Sequence, residues 1–192
     1  MILWRSRGYL PHFDGEHTTQ MVTFHLADCL PTALLRRWRD ELQYLPVLEA
    51  ERERRCRIEE YLDRGHGNTW LRDPRIAELA ETALLFFDRK RYNIHAWVIM
   101  PTHAHTLFTP FPPDSLSTIL HSWKTYTARE ANKILAHTGA FWYREYYDRF
   151  IRNEEHFARA KRYIESNPIS AGLCTRPEDW PWSSASWPLR HR

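Results

Sequence analysis

Three groups of residues in this 192-residue chain have the types and spacing for chemistry. His103 and His105 flank Ala104 at the start of an extended apolar stretch. Successive side chains of a strand alternate faces, so the two imidazoles point the same way and can share one cation. Imidazole pairs suit zinc, manganese and iron, and magnesium less readily. Among 11 histidines such a spacing also arises by chance, so the pair alone leaves ligation open. Tyr163 and Asn167 stand four apart in a helical segment, with Arg159 one turn earlier on the same line. This puts a phenol and an amide on one face. The apolar stripe there runs through Phe157, Ala160 and Ile164, so Tyr163 borders the core, and taken alone it reads first as a tyrosine half-packed on the sheet with its hydroxyl in water. The third group lies between His121 and Tyr163, where nine Lys and Arg residues face five acids, a local excess of +4. Trp123, Tyr126, Phe141, Trp142, Tyr143, Tyr146, Tyr147 and Phe150 are interleaved with them. Basic side chains neutralise phosphates, and ring faces stack unpaired bases at about 1–3 kcal/mol each. Should the histidines and Tyr163 meet, a metal and a nucleophilic phenol would flank a phosphodiester.

The elements that must position these groups follow from periodicity. Val22, Phe24 and Leu26 alternate with polar residues and give a half-buried strand over Gln20–Ala27. Pro31–Tyr61 is polar and helical, and its Arg52–Arg55 run reads as a solvated, salt-bridged face. Asp63–Pro74 is turn-rich and reads as a surface loop. Pro74 opens a helix whose apolar face carries Ile76, Leu79, Ala80, Ala83, Leu84 and Phe87. Tyr92–Met100 is apolar on both faces, a covered central strand, and His103–Thr109 follows as a third. Asp114 or Ser115 caps the next helix, which Gly139 ends. Tyr143–Arg152 suits a fourth strand. Asn153 then caps a helix over Glu154–Ser166, stopped at Asn167-Pro168. The tail from Pro177 is Trp- and Pro-rich and irregular. The order predicts one α+β domain over 1–192. Its core is a ferredoxin-like βαββαβ antiparallel sheet over about 20–173, with helices packed on one face and a helical insertion after the first strand.

Composition narrows the field. With 43% hydrophobic and 27% charged residues the chain is neither disordered nor collagen-like. No apolar run approaches the roughly 20 residues needed to cross a bilayer, and no signal-peptide core opens the sequence. Cys29, Cys56 and Cys174 are too scattered for a disulfide framework or thiolate zinc site. A cytoplasmic setting and no membrane partner are expected. The net charge of +3 does not by itself announce a nucleic-acid partner. A Gly-rich phosphate loop, GxSxG and HExxH are all missing from the sequence.

AWVIMPTHAHTLF (Ala96–Phe108), FWYREYYDRFIRNEEHFARAKRYIESNPISAGL (Phe141–Leu173) and PEDWPWSSA (Pro177–Ala185) together resemble the REP-associated tyrosine transposases. These are single-tyrosine, IS200-like members of the HUH endonuclease superfamily. The resemblance implies that His103 and His105 bind Mg2+ or Mn2+, that Tyr163 is the nucleophile and that Asn167 adds a third metal contact. It further implies nicking and rejoining of single-stranded DNA with hairpin or palindromic repeats, through a 5′-phosphotyrosine, by a monomer or homodimer. Thr102 and Ala104 replace the family's usual Asn and Val. On this reading Lys124, Arg129, Arg144, Arg149, Arg152, Arg159 and Lys161 contact the DNA. A domesticated, non-catalytic binder of DNA or RNA hairpins is the alternative, and a zinc hydrolase lacks an evident carboxylate beside the pair. The long region Arg36–Asp73 has no role on this reading.

Overall fold

The computed structural model describes residues 4–6, 11–13 and 17–190. The segment 1–16, where no leader is expected, lies outside them apart from the short antiparallel pair β1 (Trp4–Ser6) and β2 (Pro11–Phe13). Four strands form the main sheet: β3 (Gln20–His25), β4 (Tyr92–Ile99), β5 (His103–Pro110) and β6 (Tyr147–Phe150). Their order is β4-β5-β3-β6, every pair antiparallel. The fold is α+β, with the βαββαβ core that the alternation of patterns predicts. Register sets Thr23 opposite His105 and His25 opposite His103.

Between β3 and β4 lie α1 (Thr32–Leu42), α2 (Val47–Asp63) and α3 (Pro74–Leu85). The expected helical stretch is thus two helices, broken at Pro46, and Asp63 ends a helix instead of opening a loop. Between β5 and β6 runs α4 (Leu116–Leu135), capped by Ser115 and closed by Ala136 in the left-handed region at φ 48°, before Gly139 is reached. After β6 comes α5 (Glu154–Ser170), with the Asn153 side chain accepting from the His156 N–H.

Two expectations need correction here. The crossover helices α3 and α4 do share one face of the sheet, packed on Phe24, Ala104 and Phe108. Helix α5 lies on the other, where Ala160 and Ile164 meet Met21, Val98 and Leu107. The reason is that β4 and β5 are apolar on both faces and need cover on both. Nor does α5 stop at Asn167. It runs through Pro168, whose ring is buried and whose missing N–H costs the helix only one hydrogen bond. The turn then closes through Ala171 N–H to Asn167 O at 3.0 Å and Leu173 N–H to Pro168 O at 2.8 Å.

The tail is largely irregular, as expected, but it is not loose. It lies along the open edge of β4, with Ile99 N–H donating to Trp182 O and Ser184 N–H to Trp97 O. Trp180 Nε1–H adds a bond to Ile99 O at 2.9 Å. A short helix, α6 (Trp187–Arg190), brings Arg190 to the buried Glu81. Covering an edge in this way removes a template for strand addition.

Under the sheet the Tyr92 hydroxyl, fully buried, donates to Leu84 O at 2.8 Å and accepts from Trp123 Nε1–H at 2.9 Å. Tyr92→Phe leaves a buried carbonyl and a buried indole N–H without partners. Urea unfolding should show a loss of about 2 kcal/mol at an unchanged m-value; an unaffected midpoint would mean the pair is solvated.

Candidate active site

His103 and His105 are fully buried on the α5 side of β5, with their Nε2 atoms 3.0 Å apart. Each ring is held from behind by a threonine. His103 Nδ1 lies 2.8 Å from Thr102 Oγ1, and His105 Nδ1 lies 2.7 Å from Thr23 Oγ1. The single Thr102 hydroxyl proton is donated to Leu62 O at 3.1 Å. Thr102 therefore accepts from His103 Nδ1–H, and the His103 Nε2 lone pair points inward. The proton between the two rings then belongs to His105 Nε2, which donates to His103. Burial, with His103 beside it, holds the His105 pKa well below the ordinary value, so the ring is neutral.

A third donor comes from α2. Asp63 Oδ1 lies 3.3 Å from His103 Nε2, and one donor atom each from Asp63, His103 and His105 fall within 4.8 Å of one another. Asp63 Oδ1 is buried and accepts no hydrogen bond. A carboxylate oxygen and an imidazole lone pair directed at each other repel unless a cation or proton lies between them. Two nitrogens at right angles, each about 2.1 Å from one ion, stand about 3.0 Å apart. The donor set fits a divalent cation: Thr102 already holds His103 in the ligating tautomer, and His105 joins it once its proton moves to Nδ1, where Thr23 Oγ1 accepts it.

Tyr163 stands on α5 with its ring centroid 5.4 Å from that of His105, edge to face. Its hydroxyl is buried without a hydrogen-bond partner. Burial raises the phenol pKa strongly, the carboxylates of Glu59 and Asp63 raise it further, and Arg149 opposes them. Glu59 is in turn pushed up by burial, against Arg149 and Arg55. One turn beyond Tyr163, the Asn167 amide is buried and neither of its polar atoms has a partner. Phenol and amide share the face of α5 that their spacing requires.

The basic residues scatter. Arg149, Arg152 and Arg159 line one groove beside β6. Lys124 donates to the Tyr143 and Arg144 carbonyls at 2.6 and 2.8 Å, and burial lowers its pKa to about 8. Arg129 belongs to α4, behind the sheet, and pairs with Glu130; Arg144 is exposed. Lys161 reaches Glu165 at 4.0 Å. Sequence reasoning missed Asp63, Glu59, Thr23 and Thr102. The only signal for Asp63 and Glu59 was the unexplained length of the insertion that carries them.

Two outcomes follow. His25, opposite His103, is buried and stacked on Tyr143 at 4.7 Å, with its Nδ1–H donating to Leu26 O. Burial lowers its pKa to about 4. As pH falls from 6.5 toward 4 the unfolded chain takes up a proton that the fold refuses, so stability falls. Urea unfolding should show a loss of about 2 kcal/mol from His25 between pH 7 and pH 5, with His105 adding in the same direction; His25→Phe should flatten the curve. For the cation, calorimetric titration with Mn2+ should find Thr102→Val and Asp63→Asn each weaker by about 10- to 100-fold. Wild-type affinity in Asp63→Asn would remove Asp63 from the ligand set.

Comparison with known proteins bears on the family and the fold. A family model described as "Transposase IS200 like" matches residues 68–167. The REP-associated tyrosine transposase of Escherichia coli is 29% identical over 112 residues, which is 56% of this chain and 63% of that protein. The match thus spans less than two thirds of the relative's length. A solved structure of a REP-associated tyrosine transposase bound to a REP hairpin aligns with TM-score 0.59 at 17% identity, over 96% of this chain and 86% of that one. At such identity the alignment speaks for the fold. The family model covers more than half of the chain, and the chain belongs to the IS200-like transposase family.

Proposed function

We propose that the protein nicks and rejoins single-stranded, hairpin-containing DNA with Tyr163 as nucleophile. The observation that carries this reading is a buried phenol packed edge-on against His105, beside a three-donor cation site. The hairpin comes from the solved relative, which is bound to one. Asp63, His103 and His105 would hold the cation, with the free Asn167 amide facing the same side as Tyr163. Two imidazoles and one carboxylate suit Mn2+ better than Mg2+, which prefers oxygen. When bound, the cation polarises a non-bridging phosphate oxygen.

The chain's own residues do the rest. Glu59 stands beside the Tyr163 hydroxyl and takes its proton, helped by the burial that raises the carboxyl pKa toward that of the phenol. Arg149 stabilises the phenolate formed. The Tyr163 oxygen attacks phosphorus, the P–O bond to the 3′ oxygen breaks, the leaving oxygen takes a proton from solvent, and a 3′-OH and a 5′-phosphotyrosine result. The phosphodiester energy is conserved, so a 3′-OH can reverse the step and join strands. Arg149, Arg152 and Arg159 hold the DNA backbone. A monomer acting in cis and a homodimer exchanging tyrosines both satisfy this chemistry, and a cytoplasmic setting suits it. Among the described residues no helix is long and apolar enough to cross a membrane.

Labelled hairpin oligonucleotides incubated with Mn2+ or Mg2+ should give a covalent protein–DNA band on a denaturing gel. Tyr163→Phe should reduce it by about three orders of magnitude or more, and Glu59→Gln by about 100-fold with the band retained. A full band from Tyr163→Phe sinks the assignment of the nucleophile.

A further inference from the structure

The Arg52–Arg55 run does not lie wholly on a solvated face, as its sequence suggests. Helix α2 runs beside β6, and with the start of α5 the two enclose an open groove of about 770 Å3. Arg52, Arg54 and Arg55 line its α2 wall; Arg149, Arg152 and Arg159 line the other, against two carboxylates, Glu51 and Asp148. Elsewhere on α2 the arginines are neutralised: Arg57 pairs with Glu53 and Glu41, and Arg64 with Glu60. Among the described residues no ion pair joins a carboxylate to Arg52, Arg54, Arg55, Arg149 or Arg152.

Inward, the wall narrows to a small gap where Arg55 and Arg149 stand with Thr23, Glu59 and Tyr147. Thr23 holds His105 and Glu59 stands beside Tyr163, so this gap abuts the candidate active site. The Arg55 Nε–H is buried and donates to nothing. Its charge is disfavoured first by burial and then by Arg149, while Glu51, Glu59 and Asp148 offset part of that. A half-buried guanidinium with an idle, buried Nε–H, set beside the exposed Arg149 of like charge, is an arrangement that an anion relieves.

We propose that α2 and β6 are the jaws of a phosphate clamp, in which Arg55 and Arg149 grip one backbone phosphate of an unpaired DNA strand while Arg52, Arg54 and Arg152 follow the strand outward. The clamp deepens the reading of Tyr163 as nucleophile and rests on it only for where the strand leads. Rings select an unpaired strand. Tyr147 and Phe150 line the groove, and the Arg152 guanidinium sits over Phe150 at 5.4 Å. A duplex offers phosphates but keeps its base faces stacked inside, whereas an unpaired strand offers both. Arg52, Arg55, Glu59 and Asp63 recur three and four apart along one side of α2. At 1.5 Å per residue that side spans about 16 Å, from the groove to the cation site.

The test is fluorescence anisotropy on the full chain without divalent metal, using one hairpin in two forms: blunt, and with an unpaired extension of about eight nucleotides. Arg52→Ala/Arg54→Ala and, separately, Arg55→Met should weaken the extended DNA by about tenfold and the blunt hairpin by less than about twofold. The slope of log K against log salt should shrink by about 0.7 for each arginine removed. Arg36→Ala/Arg39→Ala, which removes the same charge from α1, should change neither, and thermal melting checks that every variant folds. Equal weakening of both DNAs, or none, overturns the clamp. The gel assay on wild-type protein separates the two ideas: a covalent band with unaltered binding by the groove variants sinks the clamp alone. Extension-dependent binding lost in those variants, with no band from wild type, sinks the nucleophile alone.

Discussion

Two imidazoles facing each other at 3.0 Å inside a sheet are the constraint from which much of this structure follows. Neither ring reaches water, so every polar atom on it must find its partner within the protein. β3 answers with Thr23, which the antiparallel register places opposite His105. The turn before β5 answers with Thr102, whose carbonyl accepts from Leu26 N–H while its hydroxyl donates to the last turn of α2. One residue thus fixes the tautomer of His103, closes the turn and docks a helix from the insertion. The pleat decides the rest. Ala104 and Phe108 pack under α3 and α4, so His103 and His105 must face the other way, toward α5.

That orientation explains why α2 exists at its length. A sheet face holding two neutral histidines and a phenol carries no charge of its own to hold a divalent ion. Asp63, on the final turn of α2, brings the missing carboxylate, and Leu62 just before it anchors the helix end to Thr102. The same helix places Glu59 by Tyr163 and sets arginines along β6, so acid and base are segregated along one face. Acid stands where a cation would sit, and base stands where phosphates would enter. The insertion, to which the sequence alone assigns no role, is therefore the element that would join DNA contact to the candidate active site.

Much of the fold could be read from the chain because its strands and helices keep clean periods. The alternation in β3, the doubly apolar β4 and the stripe of α3 each predict their element, and the His-Ala-His spacing predicts a shared face. What escaped notice were facts of tertiary arrangement. Asp63 lies 40 residues before His103, in a segment that reads as a turn, and nothing local marks its carboxylate as turned inward. Pro168 signals a helix end by its missing N–H, yet the helix runs on through it with the ring buried. The tail reads as irregular, since its backbone bonds go to a strand edge some 80 residues earlier. Lys124 reads as a DNA contact by its charge, while its ammonium is taken up by two carbonyls.

The electrostatics of Tyr163 give the site a conditional character. Burial and two carboxylates hold the phenol protonated, and a protonated phenol is a poor nucleophile. A phosphate approaching alone would meet Glu59 and Asp63 as like charges. A cation between the histidines and Asp63 would oppose both effects, because it would offset the carboxylates that repel the phosphate and that disfavour the phenolate. On the function proposed above, metal and substrate would favour each other's binding, and the metal would favour ionisation of Tyr163. An enzyme that cuts DNA needs its nucleophile silent until strand and ion are both in place. If Tyr163 is that nucleophile, the two acids that α2 sets beside it are what would keep it protonated.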